Sequence, residues 1–236
     1  NQDPLPRAVI KSIKIFGERN SGTNFLEQLL NKNLNNIHFH SFYYKGGTGW
    51  KHGFPKIRLF KNTDETLFIF IVRDLYPWLK SMYNNPYHYK RPENINIFLT
   101  NKPIFNDPRL DHDTHVYEEE NEEVLTLRYN KLNSYLHFFS KVENAIMVNL
   151  EDLQNNNEKF LSFISNEYNL SIDKPYKHVA NHTKLNVSIK NREYDINLPM
   201  GIVNEKRNDK FELFTSSLKR KYFYKSLLKN KKELDY

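Results

Sequence analysis

The sequence has no cysteine among its 236 residues, which excludes disulfides and thiolate metal sites. No stretch approaches the roughly 18 consecutive apolar residues of a membrane helix, so no membrane insertion is expected. The opening NQDPLPRAV carries no hydrophobic leader, and with no cysteine to oxidise the expected location is the cytoplasm. Mean hydropathy is low, at -0.75, yet 39% of residues are hydrophobic and 14% aromatic, enough for a real core. Acidic side chains are outnumbered: 28 Asp and Glu face 35 Lys and Arg, for a net charge of +7 and a pI near 9.2. That balance favours an anionic partner such as nucleic acid, a phosphorylated cofactor or an acidic glycan. No internal repeat interrupts the chain, and its length suits a single domain spanning residues 1–236.

Two of the seven glycines punctuate the stretch around which the chain is organised, SIKIFGERNSGTNFLEQLL from Ser12 to Leu30. Ile13, Ile15 and Phe16 form a short apolar strand. Phe25, Leu26, Leu29 and Leu30 recur at helical spacing. Between them lies Gly17-Glu-Arg-Asn-Ser-Gly22. A strand, a glycine turn and a helix start make an anion site, because first-turn N–H groups lack partners and the helix dipole favours negative charge. Ser21, Thr23 and Asn24 add side-chain donors. The glycine spacing is that of a nucleotide triphosphate loop, but Thr23-Asn24 stands where Lys-Ser/Thr is required. One phosphate-like group is expected there rather than a metal-bound triphosphate. The other reading open for this loop is a plain strand-to-helix turn capped by Ser21 or Thr23.

Further along, Ile37 to Phe42 alternates as a strand, and Thr66 to Val72 is apolar throughout, as in a parallel strand covered on both faces. Arg73-Asp74 follows, then a helix with Pro77 in its first turn. Residues 84 to about 115, rich in Asn, Pro, His and Tyr, read as a long surface excursion. Val124 to Phe139 has helical spacing, preceded by the acidic cluster Glu118 to Glu123 that suits its positive end. Ala145 to Val148 is a strand, with a helix through Phe160, Leu161 and Ile164. The basic, aromatic remainder suggests helical pieces near Phe211 to Tyr224. Strands alternating with helices predict an α/β fold with a mostly parallel central sheet flanked by helices.

Three separated segments resemble the sulfotransferases that use 3′-phosphoadenosine 5′-phosphosulfate (PAPS). FGERNSGTNFLEQLL is similar to that family's loop for the 5′-phosphosulfate. FIVRDLYPWLKSMY is similar to its strand and helix for the 3′-phosphate, with Arg73 and Ser81 eight positions apart. AIMVNLEDL is similar to its strand ending in a Glu-Asp-Leu box. The resemblance extends to about residue 165 and implies a three-layer, nucleotide-loop-like architecture. It implies PAPS as cosubstrate, with adenosine 3′,5′-bisphosphate (PAP) as product and a hydroxyl- or amine-bearing acceptor as the other partner, and no nucleic acid. Transfer would be in line and metal-free.

The same resemblance supplies site residues. Trp50-Lys51-His52-Gly-Phe-Pro55 precedes Arg73 by the distance at which the family carries its Lys-x-His segment, though here lysine and histidine are adjacent. His52 is the implied base and Lys51 the cation on the transferring group, with Glu18 the alternative base. The nucleotide would be held by Arg19, Asn20, Ser21, Gly22, Thr23, Asn24, Phe25, Arg73 and Ser81. Asn20 stands where the family usually has lysine; Arg19 or Lys51 could take that catalytic role, and with neither in place the chain would bind the nucleotide yet transfer slowly. Each residue also has a structural reading: His52 bonded to backbone, Arg73 paired with a carboxylate, Phe25 facing the core. The acceptor site is expected in the 84–115 excursion, and Lys184, Lys190 and Arg192 are further candidates for the 3′-phosphate. Two other functions fit parts of the pattern: a small-molecule kinase of nucleotide-loop type, and a non-catalytic protein binding nucleotides or polyanions.

Overall fold

A strand covered on both faces is expected to be a near-continuous apolar run, and Thr66–Val72 is buried along its whole length. The computed structural model describes residues 8–40, 47–86, 89–90, 92–102, 122–179, 197–213 and 224–225. In it, β1 (Ser12–Gly17) pairs in parallel with β2 (His38–Phe39) on one side and β3 (Thr66–Val72) on the other. β4 (Ala145–Asn149) pairs in parallel with β3, and β5 (Tyr224–Lys225) adds an antiparallel edge. The sheet order is β2-β1-β3-β4-β5.

Side chains alternate across this sheet into two cores. Phe16, Phe68, Phe70, Val72 and Met147 pack with α2 (Leu75–Asn84), α3 (Ile95–Thr100) and α4 (Val124–Phe139). Ile13, Ile15, Leu67, Ile69, Ile71 and Val148 pack with α1 (Thr23–Asn33), α5 (Leu150–Asn155) and α6 (Asn157–Tyr168). A further helix, α7 (Met200–Lys206), joins the first core through Val203, and residues 209–213 are helical again, where the sequence placed a helical piece at Phe211. The chain is therefore an α/β protein with helices on both faces of a mostly parallel sheet. Among the described residues, no helix is long and apolar enough to cross a membrane.

The connections fix where a ligand fits. From β1 the chain passes through α1 on one face to β2; from β3 it passes through α2 on the other face towards β4. β1 and β3 are neighbours, so their outgoing loops diverge at a topological switch point, where open α/β sheets leave a crevice at the carboxyl ends of the strands. The loop from Gly17 and the Arg73-Asp74 junction are those two exits.

Four elements differ from the sequence expectation. β2 is two residues long, and Ser41 and Phe42 lie outside the described residues. The excursion after Asn84 contains α3, whose Asn94 side chain caps it by accepting from the Ile97 N–H at 3.0 Å. Phe98 and Leu99 bury its inner face, so this part of the excursion belongs to the core. The helix expected after β4 is two helices that meet at Asn156, with the Asn149 side chain capping the Glu151 and Asp152 N–H groups. Tyr224, placed near a helical piece by its sequence, lies in β5, where pairing with Met147 decides its backbone. Of the acidic cluster, Glu123 occupies the α4 N-cap position and pairs with Lys206, and Glu118 to Glu120 lie outside the described residues.

Candidate functional site

Two glycines shape the first loop by what they leave out. A Cβ on Gly17 would lie 2.6 Å from Ser21 Oγ and 2.7 Å from the Ile71 carbonyl oxygen. A Cβ on Gly22 would lie 2.4 Å from Leu150, and Gly22 has φ of 94°, in the left-handed region. Ser21 is fully buried, and its hydroxyl and N–H both donate to the Glu18 carbonyl, at 2.7 and 3.2 Å. Its side chain closes the loop from within. α1 then opens at Gly22 with no side-chain cap. Thr23 is buried, Asn24 is exposed at the helix start, and the Phe25 ring sits in the second core, 3% exposed.

Arg19 and Glu18 turn away from that helix start. The Arg19 guanidinium lies between the Trp50 and Tyr89 rings, 4.5 and 4.4 Å from their centroids, and donates to the Tyr89 hydroxyl. Its backbone carbonyl accepts from the Trp78 indole at 2.9 Å. Glu18 is bound by Arg128 at 2.6 Å, both side chains being buried. Arg128 also donates to the Arg73 carbonyl at 2.8 Å and stacks on the Trp78 ring at 4.6 Å. One guanidinium thus holds both exits of the switch point.

Lys51 is the cation at the helix start. Its ammonium donates to the Asn24 side chain and lies 3.6 Å from Glu27 in the first turns of α1. Burial holds Lys51 below the usual lysine value, with Glu27 opposing. The segment is stitched to β1: the Gly17 N–H donates to the Lys51 carbonyl at 2.9 Å, and His52 Nδ1 meets the Gly17 carbonyl at 2.8 Å. A carbonyl only accepts, so Nδ1 carries the proton and Nε2 keeps the free lone pair. Burial, then the Lys51 and Arg19 charges, hold His52 well below its ordinary value, so the ring is neutral at pH 7.

Arg73 joins the two exits. Its Nη1 donates to the Asn20 carbonyl at 3.2 Å and its Nε to Glu151 at 3.1 Å, at the start of α5. The Asn20 amide donates to the Asn85 carbonyl at 3.0 Å, and the Asn85 N–H donates to the Ser81 carbonyl at 2.9 Å. Half-buried Ser81 therefore sits in the last turn of α2 beside the first loop. The structure joins Lys51 to Asn24, Lys51 and His52 to Gly17, and Arg73 to Asn20, with Ser81 one helical turn from the Asn85 carbonyl that Asn20 meets. It sets Arg19, Ser21 and Phe25 into the packing behind them. Lys184, Lys190 and Arg192 lie outside the described residues.

Three buried cations, Arg128, Lys131 and Lys14, escaped the sequence reading. Arg128 looked like one polar position on an amphipathic helix, with no local signal of its partners. Lys14, in the middle of β1, is fully buried and donates to the Gly49 carbonyl at 2.6 Å and the Thr48 hydroxyl at 3.2 Å. It supports the turn that leads into Trp50-Lys51-His52. A lysine in an otherwise apolar strand was the available clue. Burial, then Lys51, lower its pKa from 10.5 to about 7. Between those values the unfolded chain binds the proton that the folded one releases, so stability rises with pH across that window. Lys14→Met is expected to stabilise the fold by about 1–4 kcal/mol at pH 6 and by less at pH 10, read from urea unfolding. An equal change at both pH values would refute this titration.

Comparison with family models, curated proteins and solved structures finds no match for this chain. What the fold and site define is an α/β protein with two cation-bearing exits meeting at a switch point.

Proposed function

We propose that this chain is a sulfotransferase that moves a sulfuryl group from PAPS to a hydroxyl or amine of its acceptor. The finer architecture, that of a sulfotransferase or nucleotide-loop protein, is part of the same proposal. The observation that carries it is the contact between Arg73 and the Asn20 carbonyl at 3.2 Å, which puts the two segments suited to separate anionic groups side by side in one crevice.

The residues present fit such a nucleotide. The uncapped start of α1, the close approach permitted by Gly22 and the Lys51 ammonium beside Asn24 suit a phosphosulfate. Arg73, with Ser81 on the following helix, suits the 3′-phosphate once that group displaces Glu151 from the guanidinium. PAPS supplies an activated sulfuryl group. The acceptor oxygen bonds to sulfur as the bond from sulfur to the bridging oxygen breaks, and PAP departs. The acceptor's proton passes to His52 Nε2, while Lys51 offsets charge on the departing side. Arg19, between two rings, is a positioning group for the loop, which leaves Lys51 in the role of the family's loop lysine.

Calorimetry with PAP, ADP and AMP tests the assignment. PAP is expected to bind at least about tenfold tighter than either, a gap of about 1.4 kcal/mol, and Arg73→Ala should erase the preference. Equal affinities would remove the assignment, and preference for ADP with magnesium would favour the kinase instead.

A further inference from the structure

A cleft of about 270 Å³ opens beside α3, lined by residues of the segment 86–93 and of that helix. Its walls are apolar: Pro86, Pro92, Ile97 and Phe98 face into it. Its rim carries two exposed ammonium groups, Lys90 and Lys102, against a single carboxylate, Glu93. An apolar throat under a net positive rim suits a small molecule with an apolar body and one anionic group. Cations and uncharged polar molecules suit it less.

The inner end of the cleft is Tyr89, 4% exposed. Tyr89 also lines a smaller space with Glu18, Arg19, Trp78 and Arg128. Its ring covers the Arg19 guanidinium at 4.4 Å, and Trp50 covers the other side at 4.5 Å. His52 packs edge-on against Trp50, with ring centres 5.2 Å apart. From cleft to base, Tyr89, Arg19, Trp50 and His52 follow one another at 4.4, 4.5 and 5.2 Å, and the second belongs to the Gly17–Gly22 loop. A body pressed against Tyr89 acts on that stack. Neither Lys51, His52 nor any residue of the Gly17–Gly22 loop lines the cleft, so its walls are separate from the groups that hold the base.

We propose that this cleft is a second binding site, for a small apolar carboxylate, and that Tyr89 carries its occupancy to Arg19 in the loop. The site does not depend on the cofactor assignment, because the test uses no nucleotide. The chain's two tryptophans both touch Arg19: Trp50 through its ring and Trp78 through its indole N–H. Their fluorescence therefore reads the loop directly.

Adamantane-1-carboxylate, which is transparent at tryptophan wavelengths, serves as the probe, with 1-adamantylmethylamine as the cationic control of the same bulk. The carboxylate is expected to give a saturable fluorescence change with Kd of about 1 mM or tighter, a value reasonable for so few heavy atoms. The amine should bind at least about tenfold more weakly. Lys90→Gln with Lys102→Gln, two surface changes that leave the core intact, should bring the carboxylate down to the level of the amine. No saturable change, an equal response to both probes, or a response unaltered in the double variant would each overturn the proposal. PAP calorimetry on the same preparation separates the two conclusions: loss of PAP binding would strike the proposed enzyme and leave the cleft standing.

Discussion

Arg128→Met is expected to cost about 3–5 kcal/mol of folding stability, the usual penalty for leaving one member of a buried ion pair without the other. The side chain is 0% exposed, and its guanidinium holds Glu18 at 2.6 Å, the Arg73 carbonyl at 2.8 Å and the Trp78 ring at 4.6 Å. Methionine fills much of the volume but leaves the Glu18 carboxylate buried with its 2.6 Å counter-charge gone. Glu212, 3.9 Å from Arg128 on the other side, would lose the charge that now opposes the upward push of burial on its pKa. Urea unfolding supplies the measurement. Glu18→Gln in the same chain should recover a large part of the loss, because a neutral amide is far less costly to bury than a charge. The interaction energy from the full double-mutant cycle should be about 1–3 kcal/mol. A single variant within about 0.5 kcal/mol of the parent, the range of ordinary surface substitutions, would show that the pair does not hold the two exits together.

The uneven legibility of this sequence follows from the reach of its signals. β3 announced itself because six of its seven residues are apolar, the near-continuous run of a doubly covered strand. α4 announced itself because sixteen residues at period 3.6 leave little else to propose. The first loop was legible because Gly17 and Gly22 stand where a Cβ would collide with Ile71 and Leu150. Those collisions involve partners tens of residues away, but they leave their trace at a single position. Arg128 and Glu18 leave no such trace. They are 110 residues apart, neither segment points to the other as its partner, and only the fold brings them together. The Arg19 sandwich is illegible for the same reason, since Trp50 and Tyr89 both lie far downstream, Tyr89 by 70 residues. Ser21 misled in another way. Short hydroxyl side chains satisfy either a ligand or their own backbone, and the choice here, the Glu18 carbonyl, depends on how tightly the loop turns. α3 was missed because the helix is only six residues long and sits among prolines and asparagines, while its cap and the core contacts of Phe98 and Leu99 decide its state.

His52→Ala is expected to reduce sulfuryl transfer by about 10²–10⁴-fold, the usual contribution of a positioned base, while PAP affinity stays within about threefold of the parent. The geometry separates these outcomes. His52 is tied to the Gly17 carbonyl on the β1 side of the loop, whereas the groups suited to the nucleotide's two ends are Lys51 with the α1 start and Arg73 with Ser81. Release of PAP from PAPS, with a phenol or sugar hydroxyl as acceptor, gives the rate, and calorimetry gives the affinity. The pH profile adds a second test. Burial and the Lys51 and Arg19 charges favour the neutral ring, so protonation needs more acid than for a free imidazole near 6.5. Activity in the parent should therefore stay level from pH 7.5 to pH 6.5 and fall only below that, with the acidic limb of kcat/KM displaced downward. A limb centred at or above 6.5 would mean that the titrating group is not this histidine. If His52→Ala retained turnover and Glu18→Gln lost it, the base would be Glu18, and Arg128 would become the group that keeps that carboxylate ionised.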